Sequence, residues 1–351
     1  MLNYLTVFSV ALAVTVLGLP VAIILGRRMN AWDTPDELSH QGHRGRIART
    51  GGIAIALGLY AGMLTALILM PEIFANRNIA AAMVGGGVAF VTGLLDDLHE
   101  IKPLIKAVML AVGCLVAVMM MTAVRLTGFE RLDFLLAVLI LMGGTNAFNL
   151  MDGMDGLASG MAIAASLGLL SLALQLETAF AGSFKLIVAG ASLGFLFYNR
   201  APAKIFMGDC GSLLIGFHLT AMGLNIAGHG SMAIIPVLLV LSPFILDTGL
   251  SIVRRFLNKK DIFTGDRRHV YDLLHNRIVP VKNVVAVMWG VGLVFSGLGW
   301  LAVFMEPWKQ AGLLAASWLV FIVVMIRLGM FVPETEAERQ ASKKWAREPE
   351  E

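Results

Sequence analysis

The sequence predicts an all-α polytopic membrane protein, and three observations carry that class. Of 351 residues, 58% are hydrophobic and 15% charged, and the mean hydropathy is +0.79, a composition that a water-soluble domain does not have. The apolar residues fall in long runs, and a helix needs about 20 such residues to cross the hydrocarbon core. Polar residues collect in the short stretches between those runs.

Taken in order, the runs lie near 3–26, 51–70, 79–95, 104–124, 132–149, 157–177, 183–198, 211–228, 232–253, 283–304 and 310–330. That is about eleven helices by the span-length rule. Ten is the nearest rival, because the third and seventh runs are short and contain glycine. The first run lacks a basic leading region and a small-residue cleavage site and is followed by further spans, so it is read as a retained helix. No Pro- or Ser-rich linker and no internal repeat divides the chain. One transmembrane catalytic domain is expected over 1–332, followed at 333–351 by a solvated, partly disordered tail in which acid and base alternate without apolar periodicity.

Charge placement fixes the expected orientation. Arg27, Arg28, Arg44, Arg46, Arg49, Lys102, Lys106, Arg200, Lys204, the cluster from Arg254 to Lys282 and Arg327 fall on one side, against Arg77, Arg125, Arg131, Lys185 and Lys309 on the other. The basic-rich side is cytoplasmic, which puts the N-terminus outside and the C-terminus inside. The loop acids Asp33, Asp96, Asp97, Asp152, Asp155, Asp209 and Asp266 sort to that same side, as does Asp247 near a helix end. A protein with one chemical face and one blank face is expected to be an enzyme working from the cytoplasm rather than a conduit. Net charge is only +3, and no basic tract interleaved with aromatics points to nucleic acid. Cys114 and Cys210 have neither metal-ligand spacing nor a partner framework.

Two adjacent carboxylates, Asp96 and Asp97 in GLLDDLHE, follow the third span directly, with Lys106 ten residues after the first. They repel unless a cation or a proton is shared, which suggests a divalent metal or a raised pKa. In NAFNLMDGMDGLA (146–158), Asn146 and Asn149 are three apart, as are Asp152 and Asp155, so a helical turn would put like with like on one face. Acids are costly in hydrocarbon, so this stretch belongs at a membrane face. Gly153 and Gly156 would let backbone approach a ligand closely. FMGDCGS (206–212) sets Asp209 between two glycines just before a helix starting near Gly211. One Asp on a flexible Gly loop suits Mg²⁺, which usually takes one or two carboxylates plus substrate phosphate. Phe206 beside it is a candidate stacking platform.

Two basic loops complete the pattern. The stretch 254–282 carries Arg254, Arg255, Lys259, Lys260, Arg267, Arg268, His269, His275 and Arg277, which would attract a phosphorylated anion or acidic lipid headgroups. His269 in DRRHV, with an orienting Asp and flanking Arg residues, is a candidate phosphate ligand. The first loop, 32–52, places Arg49 just before Gly51-Gly52 at a helix start, where basic groups and a Gly-rich helix N-terminus both suit phosphate.

Five motifs in order, DTP...GG, GLLDDLHEIKPLIK, NAFNLMDGMDGLA, NRAPAKIFMGDCGS and the DRRH loop, resemble the polyprenyl-phosphate N-acetylhexosamine-1-phosphate transferases, the superfamily that includes phospho-MurNAc-pentapeptide translocase. The eleven-helix count resembles the branch that uses UDP-HexNAc rather than the ten-helix branch. The resemblance implies that a UDP-linked amino sugar gives its sugar 1-phosphate to undecaprenyl phosphate in the cytoplasmic membrane, releasing UMP, with Mg²⁺ or Mn²⁺ required. By motif match it makes Asp209 the metal ligand, with Asp97 and Asp152 beside it. Asp96, Asp97, Asp152, Asp155 and His269 form the implied catalytic set. Asn149, Asp152 and Asp155 match nucleotide-side positions, Asn199 and Phe206 match residues contacting uridine, and Lys106 and His269 match phosphate-contacting ones; Gly153, Arg49, Arg267 and Arg268 complete the expected substrate-binding set. Membrane lipids are the expected surroundings and a homodimer the family habit. Asp96 as base on the lipid phosphate and an Asp nucleophile forming a phospho-enzyme both remain open.

Two departures bear on the substrate. His269 is followed by Val270, Tyr271 and Asp272 where the family often has a His-rich run, and the first loop has Leu38 and Ser39 before His40 in place of an Arg-Lys pair. Among other classes, a secondary transporter would place acids at the bilayer midplane within repeats. A CDP-alcohol phosphotransferase would follow Asp152-Gly153 with Ala-Arg. An inactive scaffold would not keep the full acid set.

Overall fold

The computed structural model describes residues 2–33, 46–71, 77–122, 124–176, 182–228, 230–259, 268–277 and 280–332. Eleven long helices stand where the apolar runs predict them: α1 (Leu2–Arg28), α2 (Gly51–Leu69), α3 (Arg77–His99), α4 (Pro103–Met120), α5 (Glu130–Leu150), α6 (Leu157–Gln175), α7 (Gly182–Asn199), α8 (Gly208–Ala227), α9 (Ser231–Leu257), α11 (Val281–Ala302) and α12 (Pro307–Arg327). A short helix, α10 (Val270–His275), and a two-residue antiparallel hairpin, β1 (Trp32–Asp33) with β2 (Ile47–Ala48), were not expected from periodicity. Elements this short bury too little apolar surface to leave a periodic signal. The tail at 333–351 lies outside the described residues.

Ten of the long helices are long and apolar enough to cross a membrane, which makes the chain a multi-pass membrane protein. The exception among the eleven long helices described is α7, whose 18 residues include Lys185 and end on Tyr198 and Asn199. It packs against α1, α2, α6 and α8.

The bundle is built around α8. Its most apolar stretch is 94% buried, against 17% for α12 at the periphery, and it packs on α2, α3, α5, α6, α7 and α9. Lipid tails are as apolar as leucine, so such packing relies on close backbone approach rather than on a hydrophobic drive. Two glycines show this at the end of α8 that carries Asp209. A Cβ on Gly93 of α3 would lie 2.3 Å from the Asp209 carbonyl, and one on Gly52 of α2 would lie 2.2 Å from the Gly211 nitrogen. These contacts bring the starts of α2 and α8 together with the end of α3.

Two helix ends differ from expectation. The α3 helix continues to His99, so Asp96 and Asp97 stand on its last turns rather than beyond it, and α8 begins at Gly208, so Asp209 is in its first turn. Hydropathy placed both boundaries too far into the apolar run, because polar residues ending a helix look like loop. Backbone N–H and carbonyl groups at a membrane face still need partners, and extending the helix supplies them.

Candidate active site

The first turn of α8 is held by Asp97. The backbone N–H groups of Asp209 and Cys210 donate to its two carboxylate oxygens, each at 2.9 Å. A carboxylate on the exposed donors of a helix N-terminus meets both their hydrogen-bond demand and the helix dipole. Asp97 is buried, so its main visible task is to fix where Asp209 points.

Asp209 is the hub of a polar network. Its Oδ1 accepts from Asn149 Nδ2 at 2.9 Å, and Asn149 Nδ2 also donates to Ser212 Oγ at 2.7 Å. Its Oδ2 pairs with the Lys106 ammonium, which also contacts Asp96 Oδ2 at 2.9 Å. The ends of α3, α4, α5 and α8 thereby meet at four side chains. The adjacent acids of α3 have separated, with Asp97 turned to the helix end and Asp96 to the lysine.

Beside this network lies a cleft of about 120 Å³ lined by Arg49, Asn149, Asp152, Asn199, Phe206 and Asp209, together with Asp33, Met154 and Gly208. The first six are sequence candidates brought together from three separate motifs. Met154 and Gly208 carry no chemical signal of their own and follow from their neighbours.

The wall at Phe206 is woven from backbone. Its N–H donates to the Ala48 carbonyl at 2.9 Å, its carbonyl accepts from Gly51 N–H at 3.0 Å, and the Met207 carbonyl accepts from Gly52 N–H at 2.8 Å. The N-terminal donors of Gly51 and Gly52 therefore hold protein rather than the phosphate expected of them. Asn199 is likewise engaged: Gly156 N–H and Ser159 Oγ donate to its Oδ1 at 2.9 and 3.3 Å, and its Nδ2 donates to the Ile205 carbonyl at 3.0 Å. It lines the cleft while locking the turn before α6 to the segment before α8.

The pairing of Asp152 with Asp155 on one helical face is not realised. Asn146 and Asn149 are helical, but α5 ends at Leu150 and residues 151–156 form a turn into α6. Asp152 faces the cleft, whereas Asp155 is buried with its Oδ2 accepting from Ala203 N–H at 2.9 Å. Glycines at 153 and 156 interrupt the helix. Burial, with the charges of Asp97 and then Asp155 adding to it, pushes the Asp152 carboxyl up to about 7, partly opposed by Arg49.

His269 stands outside the cleft lining and is 3% exposed. Its Nδ1–H donates to Asp247 Oδ2 at 2.7 Å, and Val270 N–H donates to Asp247 Oδ1 at 2.7 Å. The orienting acid is thus Asp247 on α9, 22 residues upstream in sequence. Nothing in the local motif reveals that contact, although an acid inside the apolar run of α9 is itself a signal. Arg268 turns away from the cleft toward the end of α12, where it donates to the carbonyls of Val332 and Gly329. Arg267 lies outside the described residues.

The donor chemistry fits a divalent cation. Among the described residues no three His, Cys, Asp or Glu side chains form a closed cluster. Mg²⁺ does not need one, since it usually takes one or two carboxylates and completes its shell with water and substrate phosphate. Asp209 and Asp152 in a polar cleft supply that set. A second cavity, of about 290 Å³ and almost wholly apolar, lies between α5, α8 and α9. It starts at Phe148, next to Asn149, and reaches Leu126 and Ala227 near the opposite ends of α5 and α8.

Comparison with known proteins gives the family. The family model described as glycosyl transferase family 4 matches residues 79–227, a span from α3 to α8 that includes Lys106, Asn149 and Asp209. A Bacillus subtilis protein named "Probable undecaprenyl-phosphate N-acetylglucosaminyl 1-phosphate transferase" is 32% identical over 311 residues, covering 84% of each chain. The decaprenyl-phosphate N-acetylglucosaminephosphotransferase of Mycolicibacterium smegmatis is 29% identical over 323 residues, 79% of this chain and 77% of its own. The phospho-N-acetylmuramoyl-pentapeptide-transferase of Heliobacterium modesticaldum is 29% identical over 319 residues, 83% of this chain and 95% of its own. The chain, a multi-pass membrane enzyme of the transferase class, therefore belongs to glycosyl transferase family 4.

Proposed function

We propose that the protein transfers N-acetylhexosamine 1-phosphate from a UDP-amino sugar, UDP-GlcNAc or a close derivative, to undecaprenyl phosphate at the cytoplasmic face of the plasma membrane. In this reaction an oxygen of the lipid phosphate bonds to the sugar-bearing phosphorus of the nucleotide, and the bond from that phosphorus to the oxygen of the UMP phosphate breaks. UMP leaves and a lipid-linked pyrophosphoryl sugar remains. The observation that carries this reading is a pair of unlike spaces lined by the same two helices: a polar cleft at Asn149 of α5 and Asp209 of α8, and an almost wholly apolar cavity lined by Phe148 of α5 and Gly216 to Ala227 of α8. The polar lining of the first suits a phosphate-bearing part of the donor, and the apolar lining of the second suits an isoprenoid segment.

Phosphoryl transfer between two anions asks for charge neutralisation and in-line placement more than covalent chemistry. Bound Mg²⁺, held by Asp209 and Asp152, would neutralise the phosphates and polarise the reacting phosphorus. Lys106, already between Asp96 and Asp209, is placed to turn its ammonium to an incoming phosphate. Asp96, released from that pair, would accept any proton carried by the lipid phosphate. Phe206 and Arg49 line the side of the cleft where the uridine and its phosphates would lie.

The test is nucleotide release by the purified protein in detergent with undecaprenyl phosphate, Mg²⁺ and a panel including UDP-GlcNAc and UDP-MurNAc-pentapeptide. Release of UMP that requires the lipid supports the reaction and identifies the sugar. Release of UDP, or release independent of lipid, would overturn it.

A further inference from the structure

The role of α10 is left open by the cleft itself, because neither His269 nor any α10 residue lines it. What α10 does touch is the turn that carries Asp152. The Tyr271 hydroxyl donates to the carbonyl of Leu150, two residues before Asp152, at 3.2 Å. On the other side of Asp152, a Cβ on Gly153 would lie 2.1 Å from the same hydroxyl oxygen and 2.4 Å from the ring carbon bearing it. Gly153, expected to admit a ligand, thus admits a phenol. One side chain grips the turn on both flanks of the cleft carboxylate.

That side chain is itself fixed. Tyr271 stacks on His269 with centroids 5.6 Å apart and planes 10° from parallel. His269 is held through Nδ1 by Asp247, whose other oxygen receives Val270 N–H at the start of α10. Asp247 is wholly buried, and a buried carboxylate with both oxygens hydrogen-bonded is a rigid anchor. The path runs from α9 through Asp247, His269 and Tyr271 to the turn at 150–153, with a defined contact at each step.

We infer that Asp247, His269 and Tyr271 form a strut in which Tyr271 is a positioning residue, holding the 150–153 turn so that Asp152 faces the cleft. The assignment rests on the proposed reaction for its kinetic consequence but not for its geometry. Groups that orient an active-site ligand from the next layer out change affinity or activity by about 10–100-fold when removed.

The experiment pairs turnover with amide hydrogen exchange on the full-length protein and on Tyr271→Phe, which keeps the ring and the stacking and removes only the hydroxyl. The expected result is faster exchange confined to residues 149–156 and kcat lower by about tenfold. KM for the nucleotide sugar stays within about twofold and the thermal midpoint is unchanged. Gly153→Ala, which would push the phenol away, should give the same local signature. Unchanged exchange in the turn, wild-type kcat in Tyr271→Phe, or a loss matched by global destabilisation would overturn the strut. If wild type releases no UMP, the reaction fails, and the exchange measurement still decides the strut.

Discussion

The two acidic pairs of the molecule, Asp96–Asp97 at the end of α3 and Asp152–Asp155 after α5, are divided by the fold in the same manner. In each pair one carboxylate is buried against backbone N–H groups, Asp97 on Asp209 and Cys210 and Asp155 on Ala203. The other meets the site, Asp96 through Lys106 and Asp152 through the cleft. Chemistry at this face thus depends on a second set of acids that shape the loops. Identical residue types a few positions apart carry opposite tasks, and burial with hydrogen-bond partners separates them.

Substitutions can break this division in order of expected effect. Asp152→Asn should lower turnover by about 10²–10³-fold, as loss of a group that places charge against the reacting phosphate does, with a thermal midpoint no lower than that of the wild type. A midpoint that falls with activity would move Asp152 into the structural set. Asp97→Asn should do the reverse in part: one of two buried N–H donors then faces an amide NH₂, which costs about 1–3 kcal/mol and is read as a lower midpoint, with activity falling because Asp209 is misplaced. Asp96→Asn should lower kcat and leave stability as it is. Asp155→Asn should be mildest, at most about 1 kcal/mol, because an amide oxygen can still accept from Ala203 N–H.

The pH dependence sharpens the same contrast. With its carboxyl raised from 3.8 to about 7 in the fold, Asp152 binds its proton more tightly folded than unfolded. Its contribution to stability is fully present below about 4 and is lost as pH rises through about 7. A divalent cation must displace that proton, so cation affinity should climb as pH passes up through 7. Both slopes should vanish in Asp152→Asn. Cation titrations and thermal melts between pH 5 and 8 on the two proteins check this, and a slope that survives the substitution would assign it to another group.

Much of this architecture is legible in the sequence, because hydrocarbon thickness imposes a strong length rule and uncompensated acids are costly inside it. All eleven apolar runs are helices, and Arg49, Asn149, Asp152, Asn199, Phe206 and Asp209 meet in one cleft. What stayed hidden is how these groups are held. No spacing rule says that Asp97 reaches across 112 positions to cap α8, or that Asp247 orients His269. Helical periodicity also misassigned Asp155, since Gly153 and Gly156 interrupt the helix on which the spacing relied. Gly51 and Gly52 misled differently: a helix N-terminus offers donors, but only tertiary structure tells which acceptor takes them, here the carbonyls of Phe206 and Met207.

Asp209 is the one residue on which the cleft, the lysine and the asparagine all converge. The most direct measurement is UMP release from UDP-GlcNAc by the wild type and by Asp209→Asn, with undecaprenyl phosphate and Mg²⁺, alongside thermal melts of both. Lipid- and Mg²⁺-dependent release by the wild type, lost in a variant that melts at the same temperature, is the expected result. Undiminished release by Asp209→Asn would contradict the placement of the reaction in this cleft.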